Sequence, residues 1–151
     1  MKEKWIEILK IQLNGIMMHA KLFEESLKSG LLGYAVLHKH QAKEEFNNYL
    51  CMLYKYIFEY KESPKMLEIA PPQIELDGTT EKEKMIKGIE LYEDWEKLIC
   101  DKLKNYQEMK EVQDLICEVY QELKSIHLMQ NDLLDGKYEE LDRWLQKKWG
   151  D

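Results

Sequence analysis

The sequence predicts an all-α protein, and its residue counts carry that prediction. Leucine, which favours helices, occurs 21 times, whereas valine occurs three times and threonine twice. Because those β-branched residues favour strands, a β-rich fold is nearly excluded. The chain has 151 residues, of which 44% are hydrophobic, enough to bury one core. We therefore expect a single domain that spans residues 1–151.

Two long helices are predicted first. One covers about Lys2–Leu27 and ends before Gly30, since glycine is common just after a helix C-terminus. The next covers about Leu32–Lys61 and ends before Pro64, because proline disfavours helical backbone in the residue before it. Apolar residues recur at helical spacing along both, which predicts one buried face on each. These faces consist of Trp5, Ile8, Leu9, Ile16 and Phe23 in the first helix and of Tyr34, Leu37, Phe46, Tyr49, Leu50, Leu53 and Ile57 in the second.

An extended crossover is predicted over Met66–Gly78. It contains two successive prolines, has no helical period and is long enough to run from one end of a bundle to the other. The third helix begins at Thr79 or Thr80, because Thr80 and the glutamate three residues later have the spacing of a capping box. We expect this helix to end near Gln107.

Two more helices are predicted towards the C-terminus. A fourth long helix covers about Lys110–Leu134, and Asp135-Gly136 ends it. Two long helices, a crossover and two further long helices are typical of a four-helix bundle in which the second and third helices are parallel. A short fifth helix follows, with an apolar face formed by Tyr138, Leu141, Trp144 and Leu145.

The charge balance argues against a nucleic-acid partner. The chain has 22 lysines and arginines against 29 aspartates and glutamates, which gives a net charge of −7. A protein that binds the phosphate backbone needs a surplus of cations. Arg143 is the only arginine, and arginine is the residue best suited to bidentate phosphate contacts.

The sequence also predicts a cytoplasmic protein that does not enter a membrane. The charged N-terminal segment lacks the features of a signal peptide, and no stretch approaches the ~18 apolar residues that a membrane span needs. We expect His38 and His40 at the surface. The three cysteines form no CxxC pair, so we expect buried free thiols at Cys51, Cys100 and Cys117.

Several short runs of the sequence resemble ferritins. Gly30 to Ala35 matches the glycine-bounded first turn of that family, and His40 to Glu45 matches its Gln/His-Ala-x-Glu-Glu run. The resemblance covers roughly residues 30–72 and implies a ferritin-like four-helix bundle with a long crossover and a short fifth helix. Similar pieces follow in the same order, namely Leu53-Tyr54-Lys55-Tyr56-Ile57, Ser63-Pro64 and Ile69-Ala70-Pro71-Pro72.

The resemblance implies a metal site with ligands from all four long helices. Ferritins place a glutamate on the first helix and a Glu-x-x-His pair on the second. Aligned back from Glu45, which keeps the first place of that pair, the first-helix ligand position holds Gln12. Asn48 stands where the histidine of the pair is expected, so two of these three positions are neutral.

On the third and fourth helices, the carry-over from ferritins indicates Glu93, His127 and Gln130. We expect Glu93 to face inward with Ile89 and Glu96, while Glu90 is the alternative if the crossover has no gap. His127 and Gln130 occupy the face of the fourth helix where glutamates are expected.

Charge limits what this site can hold. Two carboxylates cannot neutralise two ferrous ions in a bundle core of low dielectric constant. We expect at most one iron, manganese or zinc ion, bound by Glu45, Glu93 and His127, and a metal-free hydrogen-bonded network is an equal alternative. The resemblance therefore implies a divergent ferritin-like protein without ferroxidase activity.

Two other functions fit the sequence. A bundle of this kind also serves as a non-catalytic interaction scaffold. In addition, Glu90-x-x-Glu93 followed by Glu111-x-x-Asp114 resembles the magnesium motif of all-α nucleotide pyrophosphohydrolases. That motif needs a turn near Lys102, and no turn residue marks one there.

The large aromatic residues predict self-association. Trp5, Trp144 and Trp149 exceed the needs of one small core, and leftover aromatic side chains often form interfaces. We expect a homodimer or a larger homo-oligomer.

Overall fold

The computed structural model describes residues 1–65 and 73–150, and this part of the chain consists of helices, turns and loops. Five helices account for 82% of the described residues, and none of these residues lies in a strand. The predicted all-α class is confirmed, as is the order of four long helices and a short fifth. The helices are α1 (Lys2–Lys28), α2 (Leu32–Tyr60), α3 (Glu81–Lys104), α4 (Lys110–Leu134) and α5 (Tyr138–Trp149).

Two ion pairs at the ends of the helices reveal their directions. Lys2, at the start of α1, pairs with Glu62, just beyond α2, so α1 and α2 are antiparallel. Lys4 Nζ donates to Glu108 Oε1 in the turn between α3 and α4 (3.0 Å). The end of α3 therefore lies at the same end of the molecule as the end of α2. It follows that α3 is parallel to α2 and that α4 returns beside it, as predicted.

The crossover can be described only in its second part, because residues 66–72 of the predicted Met66–Gly78 segment lie outside the described residues. Ile74 and Leu76 of that segment are buried in the core. Thr80 is the N-cap, because its Oγ1 accepts from the Glu83 N–H (3.1 Å). The Glu83 carboxylate accepts from the N–H of Thr79 (3.1 Å) and not from that of Thr80, so the predicted capping box is formed only in its first half. The helix ends at Lys104, since residues 105–109 form the turn to α4.

The core consists of two apolar clusters, one towards each end of the bundle. The turn cluster lies near the α1–α2 turn, and the start cluster lies near the first turn of α1. Each long helix contributes to both, with polar residues between its two contributions. The turn cluster includes Met18, Leu37, Tyr92 and Ile126. The start cluster includes Leu9, Met52, Ile99 and Val119.

The predicted buried face of α2 is wrong in its second half. Phe46, Leu50 and Ile57 are 46%, 44% and 41% exposed, and the buried residues there are Met52 and Tyr56. The reason is that this part of α2 packs mainly on α1, while a cleft lies between α2 and α4. A helix with one close neighbour buries only a narrow stripe.

The short α5 packs closely on the start of α2. A Cβ atom on Gly33 would lie 2.0 Å from the carbonyl oxygen of Asp142, so this approach requires glycine. The Tyr34 N–H donates to Asp142 Oδ1 at the same contact (3.1 Å). This contact holds α5 over one end of the bundle.

The three cysteines are free, as predicted, but only Cys100 is buried. Cys51 and Cys117 are exposed because each lies on the outward side of its helix, so the expectation of buried thiols is wrong for these two. No helix in the described part of the chain is both long and apolar enough to cross a membrane.

Candidate metal centre

Four ionisable side chains, one from each long helix, converge between the two apolar clusters. Each of them offers one ligand atom, and the four atoms lie within 4.8 Å of one another. The residues are His19 of α1, Glu45 of α2, Glu96 of α3 and Glu122 of α4.

The imidazole of His19 is at the centre of this group. Its Nε2 atom lies 3.3 Å from Glu45 Oε1 and 3.4 Å from Glu96 Oε1. It lies 3.5 Å from Glu122 Oε1. The side chains of His19 and Glu96 have no exposed surface, and those of Glu45 and Glu122 are 21% and 12% exposed. Three carboxylate oxygens therefore surround one nitrogen in a nearly dry layer.

Helical spacing explains why these residues face inward. Glu96 follows Tyr92 by four residues and precedes Ile99 by three, so it continues the buried stripe of α3. Glu122 holds the corresponding place on α4, between Val119 and Ile126. These polar residues thus occupy positions that apolar residues fill elsewhere in the same helices.

A glycine makes room for the carboxylate from α2. A Cβ atom on Gly15 would lie 3.1 Å from Glu45 Oε2 and 3.3 Å from Ile99 Cδ1. The absence of a side chain at Gly15 therefore lets the Glu45 carboxylate reach the centre of the bundle.

Burial and mutual charge shift the pKa values of the group. Burial alone would lower the pKa of His19, but the charge of Glu45 and hydrogen bonding to Glu122 and the other carboxylates raise it well above its ordinary value. Burial raises the pKa of Glu96 to about 8, against the opposing hydrogen bond of His19. In the metal-free site, both shifts favour the protonated forms of His19 and Glu96.

Two further side chains contact the group directly. The Nδ1 atoms of His19 and His38 lie 2.8 Å apart, and His38 is fully buried. Burial lowers the pKa of His38 well below its ordinary value, and the charge of His19 lowers it further. The Tyr92 hydroxyl donates to Glu122 Oε1 (2.8 Å). The expectation of His38 at the surface is wrong, because its position on α2 faces Tyr34 and Tyr92 in the turn cluster.

The donor set fits a transition-metal ion. One imidazole nitrogen and three carboxylate oxygens are ligands that iron, manganese and zinc accept in proteins. Within the described residues, His19 Nε2 and both carboxylate oxygens of Glu96 have no partner in a well-aligned hydrogen bond. Buried polar atoms usually find such partners, so this donor set suits a bound cation.

A cleft of about 550 Å³ between α2 and α4 leads from the surface to the site. Its lining includes Glu45 and Glu122 on the inner side and Glu44 and Glu118 further out. The Asn48 side-chain amide donates to Glu118 Oε2 (2.8 Å). The cleft gives a small cation an acidic path to the buried carboxylates.

Of the residues expected at the site, Glu45 lies in the cluster. Gln12 and Asn48 line a small pocket beside Glu45. Gln12 is 9% exposed, and its side-chain atoms make no hydrogen bond to other described residues. Gln130 is half-buried further along α4 and does not belong to the cluster.

The predicted ligand set Glu45, Glu93 and His127 does not come together. His127 Nε2 lies 3.0 Å from Glu93 Oε2, but the His127 side chain is 60% exposed and the pair lies apart from Glu45. The reason is the register of α3, where the buried stripe passes through Glu96 and leaves Glu93 at its edge. Glu90, the alternative, is exposed.

The acidic pairs of the pyrophosphohydrolase motif are also not brought together. The turn between α3 and α4 lies at residues 105–109, so Glu93 stands about 17 Å along the helix from the end of α3. Glu111 lies in the first turn of α4 and faces Lys55 Nζ (3.7 Å). The two pairs are therefore at different heights in the bundle.

Three cluster members were not predicted as ligands, although Glu96 was expected on the inward face of α3 together with Glu93. His19 was missed because the predicted face of α1 ran through Ile16 and Phe23, which are half-buried, whereas the buried stripe passes through Met18 and Leu22. Glu96 and Glu122 carried a usable signal, since each is an acidic residue at a core position of its helix.

No protein-family model, curated protein or solved structure matches this chain. The geometry of the site is therefore the basis for the functional proposal.

Proposed function

We propose that the chain is a divergent ferritin-like bundle protein that binds one divalent metal ion through His19, Glu45, Glu96 and Glu122. The observation that carries this proposal is the convergence of one ligand atom from each long helix, all within 4.8 Å. We place the protein in the cytoplasm, in keeping with its three free cysteines.

The direction of the helices supports the ferritin-like assignment. The parallel α2 and α3, with an antiparallel neighbour for each, give the arrangement that the resemblance over residues 30–72 implies. A site formed by one ligand from each of four helices is typical of metal centres in such bundles.

Charge favours one ion over two. Three ionised carboxylates balance a single divalent ion and leave one negative charge. Two divalent ions would exceed the charge of the cluster, and the neighbouring Gln12 and Asn48 are neutral. Paired-iron oxidation needs carboxylates that absorb the added ferric charge, so we expect no ferroxidase activity.

Metal analysis of the purified protein tests the proposal. Protein prepared without chelator or affinity nickel should contain close to one equivalent of iron, manganese or zinc, and the metal-free protein should bind one equivalent of Mn²⁺ or Zn²⁺. Anaerobically added ferrous iron, exposed to air, should oxidise no faster than in the protein-free blank. Oxidation in proportion to protein concentration would contradict the single-ion site.

A non-catalytic interaction protein is the second candidate. The observation that favours it is the outward face of α2, where Phe46, Leu50, Tyr54, Ile57 and Phe58 are all at least 41% exposed. These residues, with Trp144, replace Trp5 as the candidates for self-association, because Trp5 is buried in the core. Leu128, which is 59% exposed on α4 and so lies off this face, gives the matched control. This candidate would be favoured if wild-type protein bound no metal and formed stable dimers that Tyr54→Glu dissociates and Leu128→Glu does not.

A further inference from the structure

His38 is the fully buried histidine that faces the metal centre without belonging to it. It lies on α2, two turns before Glu45, and its side chain has no exposed surface. Its Nε2 atom has no hydrogen-bond partner among the described residues. Within the same described residues, its one hydrogen-bond contact joins its Nδ1 atom to the Nδ1 atom of His19, at 2.8 Å.

That contact imposes complementary protonation on the two rings. At 2.8 Å one Nδ1 atom must carry the proton and the other must offer a lone pair. The Nε2 atom of His19 is the one that faces the three carboxylates. A histidine that binds a metal through Nε2 keeps its remaining proton on Nδ1, so His19 is the donor and His38 the acceptor.

We propose that His38 is a positioning residue for the metal site: its Nδ1 lone pair accepts the Nδ1–H of His19 and holds Nε2 of His19 towards the carboxylates. The inference rests on the proposed function, since it assigns a role relative to the same ion. It also assigns the proton of His38 itself to Nε2.

The neighbours of His38 keep its ring in this orientation. The rings of Tyr34 and Tyr92 stand nearly perpendicular to it, with centroids 4.4 Å and 4.8 Å away. The Tyr34 hydroxyl donates to the carbonyl oxygen of Gly88 on α3 (2.8 Å), and this hydrogen bond fixes the Tyr34 ring beside His38. An N–H enclosed by aromatic rings is weakly stabilised by them, which suits a proton on Nε2.

Two variants separate positioning from packing. His38→Asn keeps a hydrogen-bond acceptor close to the position of Nδ1, whereas His38→Leu removes it. Both new side chains are smaller than the imidazole ring. We expect Mn²⁺ affinity to fall 10- to 100-fold in His38→Leu, the range for lost support of a ligating histidine, and to stay within about threefold in His38→Asn. Thermal unfolding of the metal-free variants checks that both fold.

A second measurement reports the tautomer directly. Long-range ¹⁵N–¹H spectra of the Zn²⁺-bound wild-type protein should show His38 with its proton on Nε2. A proton on Nδ1 of His38 in the Zn²⁺-bound protein would overturn the inference while leaving the proposed function intact. If wild-type protein binds neither Mn²⁺ nor Zn²⁺, the proposed function fails, and with it the role of His38 towards an ion.

The affinities give equally clear outcomes. Equal losses in His38→Asn and His38→Leu would mean that the ring acts through packing alone, which overturns the inference. No loss in either variant would overturn it too.

Discussion

Among the described residues, the His19 cluster and the His127–Glu93 pair both join histidine to glutamate, and they differ chiefly in the burial of the histidine. In the buried group, His19 lies 3.3–3.5 Å from three carboxylates, and its side chain has no exposed surface. In the surface group, His127 pairs with Glu93 at 3.0 Å, and its side chain is 60% exposed. The carboxylates from α3 in the two groups are three residues apart.

The difference shows that the position of a histidine or glutamate on its helix decides whether it can contribute to a buried metal site. An exposed ion pair is solvated and gains little from its partner. In the buried layer, water cannot satisfy the carboxylates, so a cation or a proton must do so. Burial raises the pKa of Glu96 to about 8, which is one sign of that demand. Glu93 instead has two partners near the surface, Lys97 Nζ at 3.6 Å and His127 Nε2 at 3.0 Å.

The largest contrast should appear in metal affinity. Glu96→Gln removes one buried ligand charge and should weaken Mn²⁺ binding at least 100-fold, because the remaining cluster no longer outweighs the ion's charge. Glu93→Gln, one turn earlier on α3, is the matched control and should leave affinity within about twofold. Calorimetric titration of both variants measures this, and similar losses in the two would contradict the assigned register of α3.

Adding ligands beside Glu45 should change the stoichiometry. Gln12→Glu with Asn48→His restores charge and a Glu-x-x-His pair next to the cluster, so we expect two Mn²⁺ ions per chain instead of one. The metal-free variant should melt several degrees below wild type, since the new buried carboxylate is repelled and poorly solvated. Gln130→Glu, outside the cluster, should keep one ion per chain, and two ions in that variant would place the second site elsewhere.

The stability of the metal-free protein should fall as pH rises from 6.5 to 8. In this window the folded protein binds more protons than the unfolded chain, because the pKa values of His19 and Glu96 are raised on folding. His38 opposes this fall near pH 6.5, since its lowered pKa leaves it neutral in the folded state while the unfolded chain is still partly protonated there. The two raised pKa values outweigh this one lowered value.

Thermal unfolding at several pH values measures this fall. It should be several degrees in wild type and Glu93→Gln and clearly smaller in Glu96→Gln, which cannot take up the proton. A wild-type protein whose melting temperature rises across the window would show that the cluster does not hold these protons.

The smallest effect is expected at the surface pair. His127→Ala should change the free energy of unfolding by no more than about 0.5 kcal/mol and leave metal affinity unchanged, because an exposed pair contributes little. Urea unfolding and Mn²⁺ titration check both. A loss of affinity in this variant would return His127 to the ligand set predicted from the sequence.

Periodicity predicted the helices and their order well, because turn and capping residues act locally. Thr80 and Gly30 mark helix ends whatever the helices pack against. Which face each helix buries depends on tertiary packing, so it was harder to predict from the sequence. On α3, the predicted ligand Glu93 lies three residues before Glu96, which is the residue in the cluster. On α1, the predicted buried face passed through Ile16 instead of Met18, so His19 was not expected in the core.

The polar layer between the two apolar clusters also divides the bundle into two halves for folding. Each half buries its own apolar residues. The layer between them combines polar groups that must first lose water with Trp95 and Leu123, two half-buried side chains that pack against both clusters. The halves can therefore become compact before the layer between them closes. Backbone amides near Gly15 and Glu96 should exchange with solvent faster than those near Leu9 or Leu22, and an ion that joins all four helices would slow that opening.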